Sequence, residues 1–162
     1  QRGAPGRERQ GGGRHGVGGV ARRPKSDEDF RKEMLDATHE LSRSRPVQPQ
    51  VWETFAEGLF YVQSEFHELT GFERLKARLG EIDKLRGLDG NHLFYLATPP
   101  DAYPVISANL GKVGLVSRES TRDPEHTQGW SSIVVEKPIG RDLRRARALN
   151  RQLHTVFSEA QI

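Results

Sequence analysis

The stretch Ser131-Ser-Ile-Val-Val-Glu-Lys-Pro-Ile-Gly-Arg-Asp-Leu143 constrains the fold more than any other part of the chain. Ile133, Val134 and Val135 form a continuous apolar run of β-branched residues. A Pro/Gly boundary follows at once, so the run reads as a short buried strand. Polarity then breaks at Glu136, Lys137 and Pro138, and a long helical pattern begins beyond Gly140. Strand, charged turn and helix make half of a βαβ unit. In open α/β sheets ligands bind where the C-terminal ends of strands meet such turns. Lys137 therefore stands where a phosphate or a polar substrate sits.

The same alternation runs through the chain. Gly16-Val17-Gly18-Gly19-Val20-Ala21-Arg22-Arg23 reads as a strand weakened by its glycines and closed by a basic turn. Ser26 is a good N-cap, and Asp27, Glu28 and Asp29 suit the positive end of a helix dipole. Phe30, Met34, Ala37 and Leu41 follow at helical spacing, so residues 27–42 are a helix. Pro49 opens a short helix through Trp52, Phe55 and Ala56. Leu59-Phe60-Tyr61-Val62 is a strand candidate. Phe72, Leu75, Leu79 and Ile82 mark an amphipathic helix over 71–85.

Asn91-His92-Leu93-Phe94-Tyr95-Leu96-Ala97-Thr98-Pro99-Pro100 reads as a buried strand stopped by a double proline. His92 beside that strand reads as structural or surface-facing. Tyr103 to Leu110 is a short helix with Val105, Ile106 and Leu110 inward, and Trp130 packs at the start of the last strand. The final helix is expected from Asp142, which caps it, to Glu159. Its inward face is Leu143, Ala146, Leu149, Leu153, Val156 and Phe157. Arg144, Arg147 and Arg151 form a solvated stripe.

Charge is distributed unevenly. Residues 1–25 hold seven basic side chains against one acid, Glu8, while the rest of the chain holds 18 basic and 21 acidic groups. The globular part is mildly acidic and gives no reason to invoke nucleic acid. Residues 1–15 have no aliphatic larger than alanine and no large aromatic, so they cannot offset their ordering entropy and read as disordered. An Arg/Gly-rich RNA-binding arm is the competing reading, and it lacks the rings that stack bases. No run approaches the roughly 20 apolar residues of a membrane helix. With no cysteine, thiolate catalysis and cysteine zinc sites are excluded.

Three segments together carry a resemblance. Glu136-Lys137-Pro138-Ile139-Gly140-Arg141-Asp142-Leu143 continues to Leu149-Asn150 and to Phe157-Ser158-Glu159-Ala160-Gln161-Ile162. Asn91 to Pro100 matches the pattern Asn-x-Leu-Phe-Tyr-Leu-Ala-x-Pro-Pro, and Gly19-Val20-Ala21-Arg22 matches Gly-x-Ala-Arg. This combination resembles the glucose-6-phosphate dehydrogenases. The resemblance covers 16–162 and implies a Rossmann-like, doubly wound α/β sheet that binds NADP. It implies that Arg22, helped by Arg23, holds the 2′-phosphate that distinguishes NADP from NAD. A dianion there needs a cation, and the end of the second strand of such a sheet can supply one.

By the same resemblance Thr98, Pro99 and Pro100 line the coenzyme cleft. Lys137 contacts both coenzyme and sugar phosphate, and Pro138 follows a cis peptide bond. For a complete enzyme the family implies glucose 6-phosphate as substrate, a homo-oligomer and a cytoplasmic location, with no nucleic-acid or membrane partner.

Parts of the family pattern are not in this sequence. The phosphate-binding turn Gly-x-x-Gly-Asp-Leu should precede Arg22, but Gly3–Gly6 follows no strand and Gly11–Gly13 precedes no helix. The motif Arg-Ile-Asp-His-Tyr-Leu-Gly-Lys contains none of the six histidines. The expected fold is thus an incomplete Rossmann-like sheet lacking its first strand and phosphate-binding turn. Residues 1–15 precede a partial NADP-binding domain over 16–162. Strands near Val17–Val20 and Leu93–Leu96 are left with unpaired edges unless they pair directly. The expected function is that of a fragment of an NADP-dependent glucose-6-phosphate dehydrogenase, with no catalytic residue of its own and inactive alone. The alternative is a non-catalytic interaction protein on a decayed Rossmann domain.

Overall fold

The computed structural model describes residues 15–43, 46–116, 129–136 and 143–162. Its elements are β1 (Val17–Ala21), α1 (Asp27–Leu41), α2 (Pro49–Ala56), β2 (Leu59–Gln63), α3 (Leu69–Arg86), β3 (His92–Leu96), α4 (Tyr103–Lys112), β4 (Ser131–Val135) and α5 (Leu143–Leu153). Short 3₁₀ turns lie at Pro100–Ala102 and Glu159–Gln161. Strands and helices alternate as the hydrophobic pattern requires. Lys137, Pro138, the expected Asp142 cap and residues 1–14 lie outside the described residues.

Local chemistry sets the boundaries. Ser26 and Asp29 form a reciprocal capping box at the start of α1, with the Asp29 amide donating to Ser26 Oγ at 3.0 Å. Gly87 ends α3 in the left-handed conformation, φ 63°. The final helix is shorter than its sequence suggests. It stops at Leu153, the amides of Thr155 and Val156 turn back to carbonyls three residues earlier, and Thr155 Oγ1 donates to Gln152 O. Ser158 and Gln161 then cap a separate 3₁₀ turn, which breaks the single helix. Leu143, expected inward, is exposed, whereas Leu149, Leu153 and Phe157 are buried.

The strands form two parallel pairs. β1 pairs with β2 in the register Val17↔Leu59, and β3 with β4 in the register His92↔Ser131. Among the described residues no hydrogen bond joins β1 to β3. The core lies on one face, where Phe72 and Leu75 of α3, Tyr103, Ile106 and Leu110 of α4, and Leu149 and Leu153 of α5 meet Val62, Leu96 and Ile133 of the strands. Burying such side chains stabilises by about 1.5–3 kcal/mol each. Two glycines bring helices close to strands. A Cβ at Gly19 would lie 2.6 Å from the ring of Phe30, and one at Gly71 would lie 2.1 Å from Ser64 Oγ. The glycines that weaken β1 as a strand thus include one that seats α1.

The outer edges of both pairs are closed by side chains. At β2, Arg31 Nε donates to Leu59 O at 3.2 Å, the Tyr61 amide donates to Asp27 Oδ1 at 2.7 Å, and Arg74 Nη2 donates to Gln63 O at 3.1 Å. Glu81 and Asp27 both pair with Arg78, which raises its already high pKa and holds Asp27 against this edge. At β4, Gln161 Nε2 donates to Ser131 O at 3.0 Å. Exposed strand edges invite association, and these polar contacts occupy them.

Candidate functional site

Arg22 and Arg23 follow β1 directly, and both are exposed. Their main chain is fixed by β2. Gln63 Nε2 donates to Arg22 O at 3.1 Å, Tyr61 Oη donates to Arg23 O, and the Ser64 amide continues the ladder onto Ala21 O at 3.1 Å. Phe30 supports Tyr61, with ring centroids 5.5 Å apart. The turn is thereby held while both guanidinium groups project from it with no carboxylate partner among the described residues. Lys25 differs, because Glu33 pairs with it.

A groove beside this turn brings Arg23, Lys25 and Lys32 against Asp29, Glu33 and Asp36. The charges balance there, and Asp27, Glu28 and Asp29 already occupy the positive end of α1. The positive end of α1 is thus already matched by acids, and among the described residues Arg22 and Arg23 are the cations left without a carboxylate partner at this turn. Lys32, also exposed, lines the groove with Arg23. Sequence pattern alone does not single it out, because a lysine on α1 four residues after Glu28 looks like any solvated helix charge.

Thr98 stands beyond the end of β3 and lines a cavity of about 130 Å³ together with Gly18, Val20, Ser64 and Tyr95. Its Oγ1 is buried and has no hydrogen-bond partner. A buried hydroxyl left without a partner is costly, and Thr98 lines this cavity beside Ser64 and Glu65, just beyond the ends of β3 and β2. The rest of the lining is largely apolar, with Phe72, Leu75, Ile106 and Leu110 among it. Pro99 and Pro100 do not line that cavity. Pro100 starts the 3₁₀ turn that leads into α4, and Pro99 is exposed beside it. These two prolines shape the turn next to the cleft.

The end of β4 is held by two tyrosines. Tyr95 Oη donates to Glu136 Oε1, and Tyr103 Oη donates to Glu136 O at 3.3 Å. The bond to Glu136 raises the Tyr95 pKa above the ordinary tyrosine value. Both tyrosines thus fix the residue that immediately precedes Lys137. The role of Tyr95 is not legible in sequence because Leu93-Phe94-Tyr95-Leu96 looks like uniform strand filler, and Tyr103 looks like an ordinary helix-start residue. His92 has a structural partner, with Nε2 and Asp83 Oδ2 3.0 Å apart. Among the described residues no group of three or more histidines or carboxylates can hold a metal ion.

The family model for the glucose-6-phosphate dehydrogenase NAD binding domain matches residues 13–162. Glucose-6-phosphate 1-dehydrogenase of Chlamydia muridarum is 38% identical over 144 residues, which are 89% of this chain and 28% of that protein. Glucose-6-phosphate 1-dehydrogenase 2 of Mycobacterium bovis is 39% identical over 89% of this chain and 26% of its own length. The crystal structure of glucose-6-phosphate 1-dehydrogenase from Mycobacterium avium superposes with a TM-score of 0.73 and 26% identity, covering 91% of this chain and 28% of that one. A glucose-6-phosphate dehydrogenase in complex with its substrate glucose 6-phosphate superposes at 0.72. The chain spans about a quarter of the length of these relatives, 26–28%. By family match and by fold, with its parallel strands in a Rossmann-like arrangement, the chain belongs to the glucose-6-phosphate dehydrogenase family and corresponds to its NAD-binding domain.

Proposed function

We propose that this chain is the coenzyme-binding part of an NADP-dependent glucose-6-phosphate 1-dehydrogenase. The complete enzyme oxidises glucose 6-phosphate to 6-phosphogluconolactone, the first step of the pentose phosphate pathway, in the cytoplasm and as a homo-oligomer. Residues 16–162 form the partial coenzyme domain. The observation that carries this reading is the pair of unpaired, exposed guanidinium groups at the end of β1, on a turn whose main chain β2 holds in place. Two such cations suit a dianionic 2′-phosphate, and arginine meets phosphate with paired, charge-assisted hydrogen bonds.

The other residues divide the work. Arg22 is the main 2′-phosphate contact and Arg23 its neighbour. Thr98 supplies a hydroxyl to the coenzyme from the end of β3, with Pro99 and Pro100 shaping the edge of the cleft. Lys137, carried over from the family motif, orients coenzyme and sugar phosphate together, and Pro138 sets the shape of its turn. NADP, when bound, accepts the hydride. The proton leaving the sugar hydroxyl needs a base that these residues do not supply.

The test is a chimera in which residues 16–162 replace the corresponding segment of the Mycobacterium avium enzyme. Formation of NADPH from glucose 6-phosphate by the chimera, with none from the 162-residue chain alone, is the expected result. A folded chimera that binds glucose 6-phosphate but reduces no coenzyme would overturn the proposal.

A further inference from the structure

We infer that Tyr61 is a positioning residue for coenzyme choice. It fastens the turn after β1 and draws off the turn's third cation, so that Arg22 and Arg23 alone are presented to an adenosine 2′-phosphate. The inference deepens the coenzyme reading above and rests on it.

The turn cannot fasten itself. Arg22, Arg23, Pro24 and Lys25 lie between β1 and α1 and belong to no helix or strand. Pro24 has no amide hydrogen, and it disfavours helical geometry at Arg23. Among the described residues no main-chain amide reaches the carbonyl of Arg22 or of Arg23. Side chains of β2 hold those two carbonyls instead. Gln63 Nε2 donates to Arg22 O at 3.1 Å, and the Tyr61 hydroxyl donates to Arg23 O. The same hydroxyl lies 3.2 Å from Ala21 O, so its one proton is shared between the last residue of β1 and the turn.

Tyr61 is itself fixed from two helices. Its amide donates to Asp27 Oδ1 of α1 at 2.7 Å, and Arg78 of α3 donates to the other oxygen of Asp27 at 2.7 Å. Its ring packs against Phe30 of α1, centroids 5.5 Å apart. Phe30 in turn sits so close over Gly19 that a Cβ there would stand 2.6 Å from its ring. A side chain locked by packing and by its own backbone bond presents its hydroxyl at a defined point. That point is where the carbonyl of Arg23 is held.

The ring has a second effect. The turn carries three cations, and Lys25 Nζ lies 5.8 Å from the centroid of the Tyr61 ring. An ammonium over an aromatic face is attracted by the ring quadrupole, and Glu33 pairs with the same ammonium. Lys25 is thereby withdrawn, and the two exposed guanidinium groups remain. Their planar forks meet a phosphate with paired hydrogen bonds, and such pairing depends on where the main chain places them. The Tyr61 hydroxyl is committed to the turn. It therefore acts on a 2′-phosphate only through the arginines, and its effect is on the preference for that phosphate rather than on nucleotide binding in general.

The test titrates the full chain with adenosine 2′-monophosphate and with adenosine 5′-monophosphate, followed by NMR of the arginine Nε–Hε groups. The ratio of the two dissociation constants reads the 2′-phosphate contact and does not move with a uniform loss of folded protein. The unchanged chain should prefer the 2′-phosphate, and Arg22→Ala should abolish that preference. Tyr61→Phe keeps the ring, and with it the contacts to Phe30 and Lys25, and removes only the hydroxyl. It should lower the preference about two- to tenfold, the worth of one net hydrogen bond. A Tyr61→Phe chain with undiminished preference, beside an Arg22→Ala chain that has lost it, overturns the inference and leaves the coenzyme reading standing. An equal weakening of both nucleotides in Tyr61→Phe also overturns it, because Tyr61 then serves the fold alone. An unchanged chain with no preference removes the 2′-phosphate site itself, and the inference falls with it.

Discussion

The hydroxyl of Tyr103, on a side chain 1% exposed, donates to the main-chain carbonyl of Glu136 at 3.3 Å. One bond thus ties the first residue of α4 to the turn that leads to Lys137. Tyr103→Phe keeps the ring in the core and removes only this donor. A net hydrogen bond is worth about 0.5–1.5 kcal/mol. The variant should lose stability in that range by urea denaturation, and a chimera carrying it should show a raised KM for glucose 6-phosphate. Unchanged stability and an unchanged KM would count against a positioning role.

Tyr95 gives a pH prediction. Its hydrogen bond to Glu136 favours the neutral phenol, so its pKa is raised. A raised folded-state pKa means that the bond's contribution is fully present below the ordinary tyrosine value of about 10. That contribution is lost as pH rises through the raised value. Ultraviolet titration should show one tyrosine ionising late, and Glu136→Gln should move it back toward the ordinary value. A titration curve identical in both proteins would remove the interaction.

Gly71 permits the contact between α3 and the end of β2. A Cβ at Gly71 meets Ser64 Oγ at 2.1 Å and Ser64 Cβ at 2.7 Å, and Ser64 is buried. Gly71→Ala should cost about 1–3 kcal/mol through overpacking, despite the better helix propensity of alanine. Ser64→Gly in the same chain should restore most of the loss. A stabilised single variant would contradict the close approach.

Much of this was legible in the residues. The periodicity of Phe72, Leu75, Leu79 and Ile82 located α3, Pro49 marked the first residue of α2, and Gly19-Val20-Ala21-Arg22 located the basic turn. Direct pairing between the strands near Val17 and Leu93 was open from sequence, and the structure leaves them apart. Long-range side-chain contacts were not legible. Nothing in local pattern says that Asp27, Arg31 and Arg74 close the edge of β2, since they act across 34, 28 and 11 residues of chain. The end of α5 was misjudged for a related reason. The Ser158–Gln161 cap competes with helix continuation, and apolar spacing through Phe157 does not register that competition.

Coenzyme choice tests the central claim most directly. In the Mycobacterium avium chimera, kcat/KM is measured for NADP and for NAD, with Arg22 intact and with Arg22→Ala. Charge-assisted hydrogen bonds contribute about 1.5–3 kcal/mol, so the variant should lose about tenfold or more in kcat/KM for NADP. Its value for NAD should stay nearly unchanged. An equal loss with both coenzymes, or no loss with either, would contradict the placement of the 2′-phosphate on Arg22 and with it the coenzyme role assigned to the end of β1.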